Sequence, residues 1–173
     1  RIKKVIKTFK KKFPRTLLSI DTRKTFVMRN SMKCKADIIN DVSSFKFDKE
    51  TINTIKNKNL WKVIHHMQGT PQTMQINPKY HHVLLEIYDF FEKEITKLKK
   101  DKYASKLILD PGIGFGKNLK HNLMILNKIS IFHSLGFPIL IGTSRKRFIN
   151  QISKNFDTKE RLGGTLSSIL FSF

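Results

Sequence analysis

Asp110 stands at the end of a short apolar run, Leu107-Ile108-Leu109, and Pro111-Gly112-Ile113-Gly114-Phe115-Gly116-Lys117-Asn118 follows at once. A carboxylate delivered by an apolar strand into a glycine-rich turn is placed to accept hydrogen bonds from a ligand edge. Glycines at alternate positions let backbone approach a flat or anionic group closely. The spacing fits neither the dinucleotide nor the phosphate-loop template, because the glycines fall at 112, 114 and 116 and neither Ser nor Thr follows Lys117. Generic nucleotide binding is therefore disfavoured. On this motif alone the alternative is a strand-to-helix turn whose Asp caps local backbone. Lys117, just past the glycines, is expected to face solvent.

Other apolar runs end in the same way. Leu17 to Ile20 runs into Asp21, Ala36 to Ile39 into Asn40, and Val63-Ile64 into His65, His66 and Met67; Ile139 to Ile141 runs into Gly142-Thr143-Ser144-Arg145-Lys146. Segments of helical period lie between them. This alternation predicts an α/β fold with a parallel sheet and crossover helices, its ligand at the C-terminal ends of the strands. Polar residues at every strand end favour a closed barrel over an open sheet, which would concentrate its site at one switch point. An eight-stranded (β/α)8 TIM barrel takes about 250 residues, so the 173 residues here predict an incomplete one, with about five of the eight βα units.

The ends of the chain point the same way. Arg1 opens inside an amphipathic helix with Ile2, Val5, Ile6 and Phe9 on one side. Asp157 and Glu160 form a capping-box-like pair before a stripe of Leu162, Leu166, Ile169, Leu170 and Phe173. The chain is thus read as a fragment, inactive and poorly stable alone.

A formal net charge of +21 raises nucleic-acid binding as a possibility. The basic residues are scattered along helices, however, and the densest runs, Lys10-Lys11-Lys12 and Lys97-Lys99-Lys100, fall near helix ends where cations suit the macrodipole. Binding to DNA is expected to be weak, indifferent to sequence and lost steeply as salt rises. Titrating binding against salt checks this, and sequence-specific, salt-resistant binding is the contrary result.

The single Cys34 suits a reducing compartment, and no Cys and His spacing suggests zinc. Without a run of about 18 or more apolar residues or a secretory pattern at the start, a cytoplasmic protein without membrane contact is expected. Asn77 and Pro78 are expected to cap and open a helix whose apolar face is Val83, Leu84, Ile87, Phe90, Phe91, Ile95 and Leu98.

Six strings together resemble dihydropteroate synthase: SIDTRK at 19–24, ADIINDVSS at 36–44, HMQGTPQTMQ at 66–75, LILDPGIGFGKNLKHN at 107–122, GFPILIGTSRKRFI at 136–149 and ERLGGT at 160–165. They appear in that family's order and cover essentially the whole chain, so residues 1–173 read as one partial pterin-binding barrel domain, strands 3 to 7. The resemblance implies a transferase of folate biosynthesis that joins 6-hydroxymethyl-7,8-dihydropterin diphosphate to p-aminobenzoate, giving 7,8-dihydropteroate and pyrophosphate. It also implies a homodimer and Mg2+, with the metal ligands outside this chain.

By match to the family's positions, Asp21, Asp110 and Lys146 are the expected catalytic residues. Asp21, Asn40, Met67, Asp110, Gly142 and Lys146 are the expected pterin contacts. Ser144 and Arg147 are assigned to p-aminobenzoate, Arg147 standing where many relatives have Ser and Asn150 where Gly is common. The family's first two mobile loops and its last Arg-x-His pair for the diphosphate are not among these residues. Two other readings remain: a methyltetrahydrofolate-binding methyltransferase barrel, against which HMQGTP and SRK argue, and a basic nucleic-acid-binding fragment, which leaves the motifs unexplained.

Overall fold

A computed structural model describes residues 2–55, 58–100, 106–154 and 157–172. Its strands are short and apolar and end where polar residues begin: β1 (Ser19–Asp21), β2 (Ile38–Asp41), β3 (Trp61–His65) and β4 (Leu107–Asp110). They form one sheet in the order β1-β2-β3-β4. β1 pairs parallel with β2, Asp21 opposite Asn40, and β2 pairs parallel with β3, Asn40 opposite Val63. The backbone bond from Lys62 N–H to the Lys106 carbonyl, 2.9 Å, joins β3 to the start of β4.

The chain forms two compact units. The first comprises Arg1–His65 and Lys93–Leu109. Helices α1 (Ile2–Lys12), α2 (Thr25–Lys33) and α3 (Thr51–Ile55) belong to it, and its core gathers Ile6, Ile20, Met28, Cys34, Ala36, Ile39, Phe45, Ile55 and Leu60. On α1 the buried stripe runs through Ile2 and Ile6, while Val5 is 67% exposed; one residue is a turn of about 100°, which carries Val5 off the face that meets the core. Lys10 belongs to the inner side instead, bonded to the Asp37 carboxylate and, at 2.9 Å, to the Thr16 carbonyl.

The second unit comprises His66–Glu92 and Asp110–Phe173. The helix α4 (Val83–Lys100) starts later than expected, and Asn77 and Pro78 stand outside it. Asn77 has a left-handed φ of 47°, and Glu86 accepts the N–H groups of His81 and His82 at 2.7 and 3.0 Å, which sets the helix start at Val83. Within this unit Val83, Leu84, Ile87 and Phe91 are buried, and Phe91 meets Phe132 edge-on at 5.6 Å. α5 (Leu119–Asn127) has a capping box between Asn118 and His121. It packs with α6 (Arg147–Ser153) and α7 (Leu162–Phe171).

Two further expectations need correction here. The run 139–141 is no full strand: Ile139 alone is bridged, with Pro138 lacking an N–H just before it. Asp157 accepts Lys159 N–H at 2.9 Å, closing a 3-10 turn at Lys159–Arg161, and α7 starts without a side-chain cap, so no capping box forms. Phe173 lies outside the described residues. Leu162, Leu166, Leu170 and Phe171 of α7 are each more than half exposed. Residues 1–173 purified alone are accordingly expected to self-associate; light scattering checks this, and a monodisperse monomer with a sharp melt is the contrary result.

Candidate active site

Asp110 ends β4 and is 6% exposed. Its Oδ1 accepts the Gly112 N–H at 2.8 Å, and its carbonyl accepts the His66 N–H at 2.8 Å. The glycine turn that follows is held from several sides. Asn122 of α5 accepts the Gly114 N–H at 2.7 Å, Gln75 donates to the Gly114 carbonyl at 2.8 Å, and the Tyr80 hydroxyl donates to the Gly116 carbonyl at 2.8 Å. Gly116 has φ +60°, and a Cβ there would lie 2.5 Å from the Gln68 carbonyl oxygen. Only glycine fits.

Lys146 crosses the turn. Its Nζ lies 4.0 Å from the centroid of the Phe115 ring, a cation–π arrangement. Burial lowers its proton affinity, and the Asp110 charge opposes that. The second unit thus sets a buried carboxylate, a half-buried ammonium and an aromatic face side by side, a combination suited to a flat heterocycle with donors on one edge and acceptors on another.

Lys117 departs from expectation. It is 4% exposed and donates to the Phe115 carbonyl at 2.9 Å, to His66 Nδ1 at 3.0 Å and to the His66 carbonyl at 3.3 Å. Three acceptors hold it in. Burial lowers its pKa to about 7, with Asp110 pulling it up and Lys146 pushing it down. The unfolded chain keeps this proton up to the ordinary lysine range, so this group's contribution to stability rises with pH from about 7 to that range.

The other expected residues are distributed as follows. In the second unit, Met67 is half-buried, and Gly142 is exposed with open space where a Cβ would stand. Ser144 and Arg147 are exposed. Arg147 lines a cavity of about 250 Å³ together with Gln75, Gly114, Lys117, Asn118 and Asn122. In the first unit, Asp21 is exposed at the end of β1. Asn40 Oδ1 is buried and has no hydrogen-bond partner among the described residues, as a ligand-reading amide would. Asp41, fully buried, accepts the N–H and hydroxyl of Ser43 at 2.8 and 2.6 Å, and burial pushes its carboxyl up. Sequence reasoning missed Lys117, His66 and Phe115 as parts of the site; adjacency to the glycines could have signalled Lys117 and Phe115, and only its place after the β3 run could have signalled His66.

Among the described residues no group of three His, Cys, Asp or Glu side chains is arranged to hold a metal. The described residues do not fit a magnesium site. No described helix is long and apolar enough to cross a membrane.

A sequential parallel sheet whose strands end in polar residues, a buried carboxylate closing the last of them, is the pattern of the α/β-barrel class. The chain belongs to the pterin binding enzyme family, whose model matches residues 1–172. It is 41% identical over 151 residues to dihydropteroate synthase of Escherichia coli (strain K12), covering 87% of this chain and 53% of that protein. Dihydropteroate synthase of Synechocystis is 36% identical over 149 residues, 86% of this chain and 52% of that protein. Among solved structures, Yersinia pestis dihydropteroate synthase in a sulfonamide complex matches with a TM-score of 0.94 at 32% identity, over 99% of this chain and 62% of that one. The Thermus thermophilus enzyme in complex with 4-aminobenzoate matches with a TM-score of 0.89 at 31% identity, over 98% and 65%. The same enzyme in complex with 6HMPPP matches with a TM-score of 0.89, over 98% and 66%. The fold is an incomplete (β/α)8 barrel, and the chain spans about half the length of the curated relatives it matches.

Proposed function

We propose that the protein carrying this chain is a dihydropteroate synthase, a transferase of folate biosynthesis, and that residues 1–173 are one partial domain of it supplying the pterin pocket. The observation that carries this reading is the buried Asp110 carboxylate beside Lys146, whose ammonium lies 4.0 Å from the Phe115 ring centroid. A pterin presents a ring N–H and an exocyclic NH2 along one edge, and Asp110 accepts both in a charge-assisted pair. Lys146 donates to the ring's carbonyl and nitrogen acceptors. Asp21, Asn40, Met67 and Gly142 are assigned as further pterin contacts by their match to family positions, with the unpartnered Asn40 oxygen in support.

In the proposed reaction the bond between the pterin methylene and the diphosphate oxygen breaks, and pyrophosphate leaves with the electron pair. The p-aminobenzoate nitrogen attacks that carbon and then loses a proton. A carboxylate on the side of the electron-poor methylene stabilises its developing positive charge, the role assigned to Asp21, while Asp110 anchors the ring by its donor edge. Ser144 and Arg147 are assigned to the aminobenzoate carboxylate by their match to family positions, and an arginine suits such a carboxylate. Any divalent ion for the diphosphate would be held by residues outside this chain, and a cytoplasmic homodimer is the assembly proposed.

The test is formation of 7,8-dihydropteroate by the intact protein from dihydropterin diphosphate and p-aminobenzoate. Binding of the pterin without turnover is the contrary result, and it favours the methyltransferase-type barrel.

A further inference from the structure

We propose that Lys117 is a positioning residue for the pterin pocket: its ammonium group ties the glycine turn to the residue that follows β3 and so holds Asp110 where its carboxylate meets the ring edge. The inference rests on the assignment of Asp110 to the pterin. An ammonium carries three donors and no acceptor, and Lys117 Nζ has three acceptors about it, the Phe115 carbonyl at 2.9 Å, His66 Nδ1 at 3.0 Å and the His66 carbonyl at 3.3 Å. The ammonium donates to all three, whereas a neutral amine donates to two and meets the third only if His66 changes tautomer.

The path to Asp110 is short. The peptide N–H of His66 donates to the Asp110 carbonyl at 2.8 Å, while the carbonyl of His66 takes the lysine. The Lys117 ammonium and the Asp110 backbone therefore hold one residue from opposite ends. His66 is held in turn by Phe90, edge-on at 5.0 Å, and accepting at Nδ1 places its ring proton on Nε2. Lys117 does not have to touch the ring to matter, because its ammonium ties Phe115 of the turn to His66, the residue bonded to the Asp110 backbone, and loss of the cation loosens that tie.

The charged and titratable groups facing Lys117 are His66 after β3, Asp110 of β4, Lys146 before α6 and His121 of α5; Glu86 of α4 faces His121. Burial brings Lys117 to about 7. It lowers His121 below the ordinary histidine range, with Lys117 adding to the effect. The cation is thus lost close to neutrality, and pterin affinity falls with it as pH rises.

The test uses the intact protein and a phosphate-free dihydropterin, so that the probe brings no phosphate titration. By calorimetry, affinity is expected to drop about tenfold as pH rises through neutrality, the scale of coupling within one hydrogen-bond network. K117M is expected to bind more weakly at pH 6 and to lack the step, while H121Q keeps it. A step that survives K117M belongs to another group and overturns the proposal. Should K117M fail to fold, the wild type still decides. By reciprocity of linkage, saturating dihydropterin must raise the titration midpoint of the Lys117 13Cε resonance by about one pH unit, the same tenfold. An unmoved midpoint overturns the proposal. D110A separates the two ideas: binding lost in D110A with the step intact in K117M removes only the positioning role, whereas binding retained in D110A removes the pterin assignment itself.

Discussion

Asp110→Ala in the intact protein is expected to lower dihydropterin affinity by about 100-fold or more. Two ring donors lose their acceptor in a buried pocket, at about 1–3 kcal/mol for each group left unsatisfied. The loss falls on the ligand edge more than on the fold, since the bond from Asp110 to its own turn, through the Gly112 N–H at 2.8 Å, lies in a segment that Asn122, Gln75 and Tyr80 also hold. Calorimetry with a dihydropterin, alongside a thermal melt within a few degrees of wild type, checks this. Unchanged affinity counts decisively against Asp110 as the anchor. Asp110→Asn, which keeps one acceptor and adds a donor facing donors, is expected to lie close to the alanine variant.

Gly116→Ala is expected to be the most damaging single-methyl change in the turn. Its φ of +60° costs an L-residue about 1–2 kcal/mol. The new Cβ would also stand 2.5 Å from the Gln68 carbonyl oxygen and 2.9 Å from its nitrogen, backbone atoms that a rotamer change cannot move; overpacking of this kind adds about 1–3 kcal/mol. Gly136→Ala is the control. It has a φ of +78° with nothing within 4 Å of the added carbon, so only the backbone cost of about 1–2 kcal/mol remains. Denaturant unfolding of the two variants should separate them by roughly the overpacking cost. Equal losses would show that the contact with Gln68 relaxes freely.

The strand ends were legible because polarity changes abruptly there. Asp21 and Asp110 close their strands as expected, and β2 runs one residue past Asn40, to Asp41. Local rules failed where tertiary partners outbid them. Asn77 and Pro78 have a good helix-start composition, yet Glu86 reaches back to bind His81 and His82 and moves the start to Val83. Lys117 carries nothing in its own type that marks it as buried; three acceptors from Phe115 and His66 decide that, and two of them lie far away in sequence. The site was readable as a set of strand-end residues, whereas the cradle that organises it was not.

The strand order β1-β2-β3-β4 also bears on how the chain is made. Each strand pairs beside one already synthesised, so on the ribosome the sheet grows at one edge in the order of translation. The chain closed between successive strands is one connecting segment rather than the whole sequence, and closure entropy grows only slowly with that length. The growing edge is therefore always the newest strand. A pause in synthesis within the 66–106 stretch would leave β3 without its later neighbour, and that interval is when a nascent chain of this topology most needs protection from pairing with another.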